Sequence, residues 1–230
     1  MSDVTFTVRE TDGTDESVTL PIDRIANCGF TGRNEEAVSA HIEELEAEGV
    51  TTPDTFPVIY PKPHHLITTD DEIEVLSEHT SGEAEFALFP TGDETYVGVG
   101  SDHTDRVLER DDIVVSKAVC QNVVSEDLWA FSEVADHWDE IELRSWTGPA
   151  DDLQLYQEAT LGDVLPPAEL LDLVDEESSE PLAGTAVFSG SVGTVSGELV
   201  FGDVFKVDLH DPVLDRTLEI EYAVDVLDWM

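Results

Sequence analysis

The sequence predicts a single α+β domain in which mixed β-strands accompany a few short helices. Three observations support this fold class. Short apolar runs with strand-like alternation recur to the C-terminus, hydrophobic residues make up 40% of the 230 residues, and no repeat or low-complexity linker divides the chain. We expect residues 1–70 to form an N-terminal hairpin and a lid helix, and residues 71–230 to form a β-rich core.

The first 63 residues contain signals for a hairpin, a helix and an extended segment. Residues 1–20 alternate and predict a hairpin whose turn is Asp12-Gly13. Residues 27–33 are small and polar and are predicted to form a loop. A helix is predicted to begin after Asn34, a favourable N-cap, and to end at Gly49. Residues 53–63 are rich in proline and therefore predicted to be extended.

The remaining chain is predicted to be mostly strands. Strands are expected over residues 72–76, 83–89, 95–100, 141–146, 184–190, 198–209 and 218–224. Residues 91–94 are predicted to join two of these strands as a hairpin. Helices are expected over residues 125–139 and, after Pro166-Pro167, within residues 160–174.

The charge excludes several classes of partner. With 53 acidic and only 10 basic residues, the net charge is −43, so the chain cannot bind nucleic acid through counterion release, and an anionic membrane would repel it. The apolar runs are shorter than the roughly 18 residues of a spanning helix, and the N-terminus lacks a signal peptide. Evenly spread acid with only three lysines predicts a cytoplasmic protein adapted to high salt, as in a halophilic microbe. An acidic mimic of nucleic acid would instead concentrate charge on one face. Cys28 and Cys120 are predicted to be free, buried thiols.

A candidate metal site begins at Glu83 and Glu85. In a strand, residues i and i+2 point to the same side, and adjacent carboxylates repel unless a cation lies between them. If the next strand pairs with this one, Asp102 at its far end completes a set of three carboxylates. Oxygen-only ligation suits Mg²⁺, Mn²⁺ or Ca²⁺. The alternative is a solvated strand face in a very acidic protein, and the spacing alone favours that alternative.

The residues around this site resemble motifs of the fumarylacetoacetate hydrolase superfamily. The matching segments are EAEFALF (83–89), GSDHTDR (100–106) and SKAVC (116–120). The resemblance implies that Glu83, Glu85 and Asp102 bind the metal. It also matches Arg106 to the arginine of the family's S-A-R-D motif and Lys117 to the lysine of its G-K-S-x-D motif. The resemblance implies that both residues bind substrate.

The likeness extends over most of the chain. Further segments in the family's order are HIEE (41–44), PVIYPKP (57–63), YQEAT (156–160), LAGTAVFSGSVG (182–193) and FGDVFKVDL (201–209). The sequence departs from the family's pattern at four places. The interval of 17 positions from Glu85 to Asp102 is shorter than the family's usual interval, and Ser189 to Val192 replace a T-G-T-P signature. His103 follows the metal aspartate, and Glu109 stands where the family has a glutamine. These departures indicate a divergent branch and affect the substrate more than the fold.

The resemblance implies a hydrolase or lyase acting on a small 2-oxo or 1,3-dicarbonyl carboxylic acid, by C–C cleavage or decarboxylation through a metal-stabilised enolate. His41 and Glu44 share one helix face and would activate water as a lid dyad, while Lys117 would stabilise the oxyanion or carboxylate. Candidate substrate-binding residues are Tyr60, Arg106, Lys117, Gly190 and Ser191. For Lys117 and Arg106 the alternative is a structural ion pair, and for His41 an exposed helix residue.

Other functions remain open on the sequence. The same family platform also hosts isomerisation and dehydration, and fold does not choose among these reactions. A non-catalytic module that binds a small acid would keep the carboxylates and lose the base. An acidic scaffold whose role is solvation would hold no ion. The family likeness also implies a homodimer.

Overall fold

The computed structural model describes residues 2–47 and 52–229. Within them lie 17 β-strands and four α-helices, which confirms the strand-rich α+β prediction. The strands are β1 Ser2–Arg9, β2 Asp15–Ile22, β3 Arg24–Gly29, β4 Val58–Lys62, β5 Ile67–Thr68, β6 Glu72–Val75, β7 Thr80–Ser81, β8 Ala84–Pro90, β9 Thr95–Asp102, β10 Thr104–Asp105, β11 Asn122–Val124, β12 Asp127–Ala130, β13 Glu142–Gly148, β14 Gln154–Thr160, β15 Thr185–Phe188, β16 Val204–Asp211 and β17 Arg216–Val226. The helices are α1 Glu35–Ala47, α2 Ile113–Ala118, α3 Phe131–Val134 and α4 Pro167–Glu177.

Two main sheets carry the fold. In the larger sheet the strand order is β2-β1-β12-β9-β8-β15-β3-β4, and β11 pairs with both β9 and β5. In the smaller sheet the order is β14-β13-β16-β17-β6. Strands from the N-terminal 70 residues and from the rest of the chain therefore pair within one larger sheet.

All residues of strand β8 are buried. Because successive side chains point to opposite sides of a strand, both faces of β8 are covered. Phe86 and Leu88 belong to the core shared with the smaller sheet. Ala87 and Phe89 belong to a second core within the larger sheet. Burial of each large apolar side chain contributes about 1.5–3 kcal/mol, so β8 is held firmly on both sides. The residues that precede it are thereby fixed in position.

The predicted N-terminal hairpin is confirmed by the antiparallel pairing of β1 with β2. The predicted cap of α1 is confirmed as well: Asn34 Oδ1 accepts a hydrogen bond from the Ala37 N–H at 3.1 Å. Only Val38 and Ile42 of α1 are buried, so the helix packs through one narrow stripe. Gly49, the predicted helix end, lies outside the described residues.

The prediction of a helix over residues 125–139 is wrong in its first part. Residues 127–130 form β12, which pairs with β1 on one side and β9 on the other. Leu128 and Trp129 are completely buried there. Sheet neighbours on both sides satisfy the backbone groups, and this pairing overrides the local helical pattern. Helical structure is limited to α3 and a 3-10 segment over Ala135–Glu140.

Two loop and strand boundaries also differ from the sequence prediction. Asn27, Cys28 and Gly29 are not in a loop but in β3, between β15 and β4. Their backbone pairing is decided by distant strands that a local pattern does not reveal. Residues 198–203, predicted as strand, precede β16 without joining a sheet. The two cysteines are free and buried, as predicted. Among the described helices, none combines the length and the apolar character required to cross a lipid bilayer.

Candidate metal centre

The hairpin of β8 and β9 brings three carboxylates together. Ala84 pairs with Ser101 and Glu85 with Gly100, and the Asp102 N–H donates to the Glu83 carbonyl at 3.2 Å. Asp102 therefore lies opposite Glu83, and Glu85 points to the same side as Glu83. One oxygen from each of the three carboxylates lies within 4.8 Å of the others. The structure thus brings together the three residues that the sequence analysis grouped; we call them the carboxylate cluster.

Lys62 is one of the chain's three scarce lysines, but the sequence analysis assigned it no role in the site. Its Nζ donates to Asp102 Oδ1 at 3.0 Å and to the Asn122 side-chain carbonyl, and its side chain is only 1% exposed. Asn122 lies directly opposite Asp102 in the pairing of β11 with β9. The signal that could have identified Lys62 is its rarity, since the chain has only three lysines.

Lys117 lies near the C-terminal end of the short helix α2 and contacts two members of the carboxylate cluster. Its Nζ is 2.8 Å from Glu83 Oε2 and 2.6 Å from Asp102 Oδ2. Burial lowers the pKa of Lys117, but the charges of Asp102 and Glu83 outweigh burial and raise it above its usual value. The helix itself is capped by Asp112, which accepts from the Val115 N–H.

Arg106 supports the cluster from the side of Glu83. Its Nη1 is 3.1 Å from Glu83 Oε1 and 2.9 Å from Glu109 Oε2, and its Nε donates to Ser81 Oγ at 2.8 Å. Glu83 and Glu109 therefore share Nη1 of the arginine that the sequence analysis proposed for substrate binding. Burial raises the pKa of Glu83, but Lys117 and Arg106 more than compensate and lower it to about 2.

Glu85 differs from its two neighbours because it has no ion-pair partner within the described residues. It is 1% exposed, and its Oε2 accepts the Gly190 N–H at 2.8 Å. Burial and the negative charges of Asp102 and Glu83 raise the pKa of Glu85 well above its usual value. The cluster and its surroundings contain one more carboxylate than cations: Glu83, Glu85, Asp102 and Glu109 against Lys62, Arg106 and Lys117.

Gly190 and Ser191 hold different positions relative to this cluster. The φ of Gly190 is +88°, and a Cβ there would lie 2.4 Å from Thr31 Oγ1, so glycine is required. Because the Gly190 N–H binds Glu85, it orients a carboxylate rather than remaining free for substrate. The Ser191 side chain is exposed, and its Oγ accepts from Gln157 Nε2 at 2.8 Å.

Tyr60 lies on β4, two residues before Lys62. Its hydroxyl is buried and, within the described part of the chain, has no hydrogen-bond partner. Burial raises the pKa of Tyr60 to about 12, while the nearby charge of Lys117 acts in the opposite direction. A Cβ on Gly29 would lie 2.7 Å from the Tyr60 ring, so glycine at that position leaves room for the ring. An unpartnered hydroxyl close to an ammonium is suited to receive a ligand oxygen.

His41 and Glu44 are not brought to the carboxylate cluster. Their side chains are 60% and 78% exposed, and His41 Nδ1 lies 4.0 Å from Glu44 Oε2. The His41 ring also lies beside the Phe30 ring, with 6.4 Å between their centroids. The role of this pair as a lid dyad therefore stays a prediction.

The donor set fits a hard divalent cation. All three converging groups are carboxylates, and Mg²⁺, Mn²⁺ and Ca²⁺ prefer oxygen ligands. Glu85 lacks a cation of its own, which a metal ion would supply. Lys117 uses two of the same carboxylates, so it competes with an ion for them.

Comparison with known proteins assigns the chain to a family. Residues 28–222 match the family described as protein of unknown function (DUF2848). The chain belongs to that family. No curated protein matches the chain in sequence.

Several solved structures share the fold of this chain. A protein of Yersinia pestis CO92 assigned to the fumarylacetoacetate hydrolase family matches with a TM-score of 0.65 at 18% identity, over 95% of this chain and 100% of that chain. The 2-hydroxyhepta-2,4-diene-1,7-dioate isomerase of Mycobacterium marinum matches with a TM-score of 0.63 at 14% identity, over 94% and 82%. A 2-keto-3-deoxy-D-arabinonate dehydratase complexed with magnesium and 2,5-dioxopentanoate matches with a TM-score of 0.63 at 14% identity, over 91% and 76%. These matches confirm the predicted fold.

Proposed function

We propose that the protein is a divalent-metal-dependent enzyme that acts on a small 2-oxo or 1,3-dicarbonyl carboxylic acid, by C–C bond cleavage or decarboxylation. The observation that carries this proposal is the convergence of Glu83, Glu85 and Asp102 in a buried cluster beside Lys117. The proposal is also supported by the dehydratase with this fold, which was solved with magnesium and 2,5-dioxopentanoate, a 2-oxo acid.

In this proposal, the carboxylate cluster holds Mg²⁺, Mn²⁺ or Ca²⁺. When bound, the ion would supply a Lewis acid for negative charge that develops on substrate oxygens. Arg106 keeps Glu83 ionised and oriented, and the Gly190 N–H orients Glu85. Lys117 and the unpartnered hydroxyl of Tyr60 donate hydrogen bonds to the carboxylate or oxyanion of the substrate.

The removal of a proton from the attacking water is assigned to His41, assisted by Glu44. Both lie on the exposed face of α1, so this role requires α1 to approach the cluster when substrate is bound. A His41→Ala variant that keeps full turnover would remove His41 from the mechanism and leave the metal site intact.

Proteins with this fold carry names of a hydrolase family, an isomerase and a dehydratase, so isomerisation and dehydration are the nearest alternatives. A non-catalytic module that binds a small acid is favoured by one observation: the proposed base is exposed and separate from the cluster. His41→Ala and Lys117→Ala should abolish turnover but keep metal binding if the protein is an enzyme.

The chain offers a matched control for the test of metal binding. Glu72 and Glu74 form a second E-x-E pair in strand β6, and both are exposed. We expect the double variant Glu83→Gln/Glu85→Gln to lose Mg²⁺ binding in calorimetry and to lose turnover of 2-oxo acids such as oxaloacetate. The double variant Glu72→Gln/Glu74→Gln should retain both. Wild-type protein that binds no divalent ion, or that keeps activity after the first substitution, would contradict the proposal.

The proposal also includes the salt environment of the protein and its oligomeric state. The net charge of −43 supports function in a high-salt cytoplasm, which predicts that folding strengthens as KCl rises from about 0.1 M to multimolar concentration. Exposed apolar side chains on residues 195–201 support self-association as a homodimer. Circular dichroism against KCl and sedimentation velocity test the two statements separately.

A further inference from the structure

The two lysines of the carboxylate cluster bind the same aspartate but are held in different ways. Lys62 contacts Asp102 Oδ1, and Lys117 contacts Asp102 Oδ2. Lys62 has an uncharged second partner, Asn122, and does not contact Glu83 or Glu85. Lys117, by contrast, bridges two of the three carboxylates that would hold an ion.

We propose that Lys62 positions Asp102 permanently, whereas Lys117 occupies the carboxylate cluster only until a divalent ion displaces it. This inference rests on the proposed function and adds an order of binding to it. The displaced ammonium of Lys117 then serves the substrate carboxylate, so the metal ion binds before the acid.

Deep burial and the pairing of its strand hold Lys62 in place. Its side chain is 1% exposed, against 9% for Lys117. Withdrawal of Lys62 would leave its buried charge without a partner, which is strongly unfavourable. Lys62 also lies on strand β4, which is hydrogen-bonded to β3 along its whole length.

Lys117 has both a reason to leave and a place to go. A divalent ion and an ammonium repel each other and compete for the same oxygens of Glu83 and Asp102. Glu83 keeps Arg106 and Asp102 keeps Lys62 after Lys117 withdraws, so each carboxylate retains a basic partner. The flexible side chain of lysine can reorient about its four-carbon stem, and helix α2, which carries Lys117, packs against strand β4, which carries Tyr60 with its unpartnered hydroxyl.

The proposal can be tested with Mg²⁺ alone, in the absence of substrate. The matched variants Lys62→Met and Lys117→Met should change Mg²⁺ affinity in opposite directions. Loss of Lys117 removes a competitor and should tighten binding about tenfold, the equivalent of one charge-assisted hydrogen bond. Loss of Lys62 removes a partner of a metal ligand and should weaken binding by roughly 10–100-fold. Lys206→Met, at an exposed pair with Glu219, should leave the affinity unchanged.

A second measurement uses the wild-type protein and needs no variant to fold. Because the chain has only three lysines, acetylation followed by mass spectrometry reports each of them separately. Saturating Mg²⁺ should increase the acetylation rate of Lys117 several-fold and leave Lys62 protected and Lys206 unchanged. Mg²⁺ binding with no increase at Lys117, or weaker binding by Lys117→Met, would overturn this inference while the metal site stands. A flat Mg²⁺ titration of the wild type would overturn the inference and the proposed function together.

Discussion

Two glutamate pairs of this chain share the same spacing within or beside a strand but have opposite surroundings. Glu72 and Glu74 lie on β6, at the edge of the smaller sheet, and both are exposed. Glu83 directly precedes β8 and Glu85 lies within it. Strand β8 is flanked by β9 and β15 in the larger sheet, and Glu85 is 1% exposed. Neither Glu72 nor Glu74 forms an ion pair with any described residue, whereas Glu83 contacts both Lys117 and Arg106.

The comparison shows that E-x-E spacing by itself does not make a site. The second pair has Asp102 opposite it, two basic residues beside it, and a glycine N–H directed at Glu85. Asp102 comes from the same hairpin. Arg106, by contrast, follows β10, Lys117 lies in α2 and Gly190 follows β15, so these other groups lie outside the hairpin. Glu72 and Glu74 face solvent instead of such groups, and water solvates two exposed carboxylates at little cost.

The largest expected effect comes from Asp102, the residue that the exposed pair lacks. Asp102→Asn leaves Lys62 and Lys117 as buried cations without their main counterion, and we expect a loss of about 3–5 kcal/mol in the free energy of unfolding. Denaturant titration in the absence of divalent ions measures it. Glu74→Gln should stay within about 0.5 kcal/mol of wild type. Equal stability of the two variants would show that the buried network is not stabilising.

The second effect separates metal binding from stability. Glu85 has no cation of its own, so Glu85→Gln removes a repelled carboxylate and should leave the metal-free protein as stable as wild type or more stable. Its Mg²⁺ affinity should fall by more than the roughly 100-fold that loss of an outer-sphere partner costs. Calorimetry at matched salt measures the affinity, with Glu74→Gln as control. Unchanged affinity would exclude Glu85 as a ligand.

A third effect depends on pH. The folded-state pKa of Glu83 is about 2, below the ordinary value of 4.5. The folded protein therefore binds this proton less readily than the unfolded chain, and the stabilisation is present above pH 4.5 and lost as pH falls towards 2. Glu83→Gln should be less stable than wild type by on the order of 2 kcal/mol at pH 7. The gap should close below pH 4.5. Glu72→Gln should show no such gap, and a gap that persists at the lowest accessible pH would contradict the ion-pair explanation.

The smallest effect concerns the backbone donor to Glu85. Gly190→Ala introduces a Cβ 2.4 Å from Thr31 Oγ1 at a φ of +88°, and we expect a loss of about 1–2 kcal/mol in unfolding free energy. Metal affinity should also fall, because the N–H that orients Glu85 shifts. Gly13→Ala provides the comparison: its φ is +84° and nothing lies within 4 Å, so it tests backbone strain alone. Equal metal affinities in the two variants would show that the Gly190 donor does not matter for the site.

Much of the fold was accessible from sequence because its signals are local. The β1–β2 and β8–β9 hairpins follow from alternation and turn residues, and the Asn34 cap follows from side-chain chemistry. Strand β12 was not accessible, since its conformation is imposed by β1 and β9. The carboxylate cluster could be predicted from the sequence because its signal is also local: one hairpin contains all three carboxylates, and its register places them together.

The sequence alone determined an acidic, strand-rich chain with three carboxylates on one hairpin, because spacing in a strand decides which side chains share a face. Only the tertiary structure decided that these carboxylates are buried, that Lys62 and Lys117 bind different oxygens of Asp102, and that Glu85 pairs with no basic side chain among the described residues. Those facts depend on strands β4 and β11 and on helix α2, whose distance from the hairpin along the chain hides the contacts from any local pattern. Burial then makes them consequential, because charges interact strongly only where water is excluded.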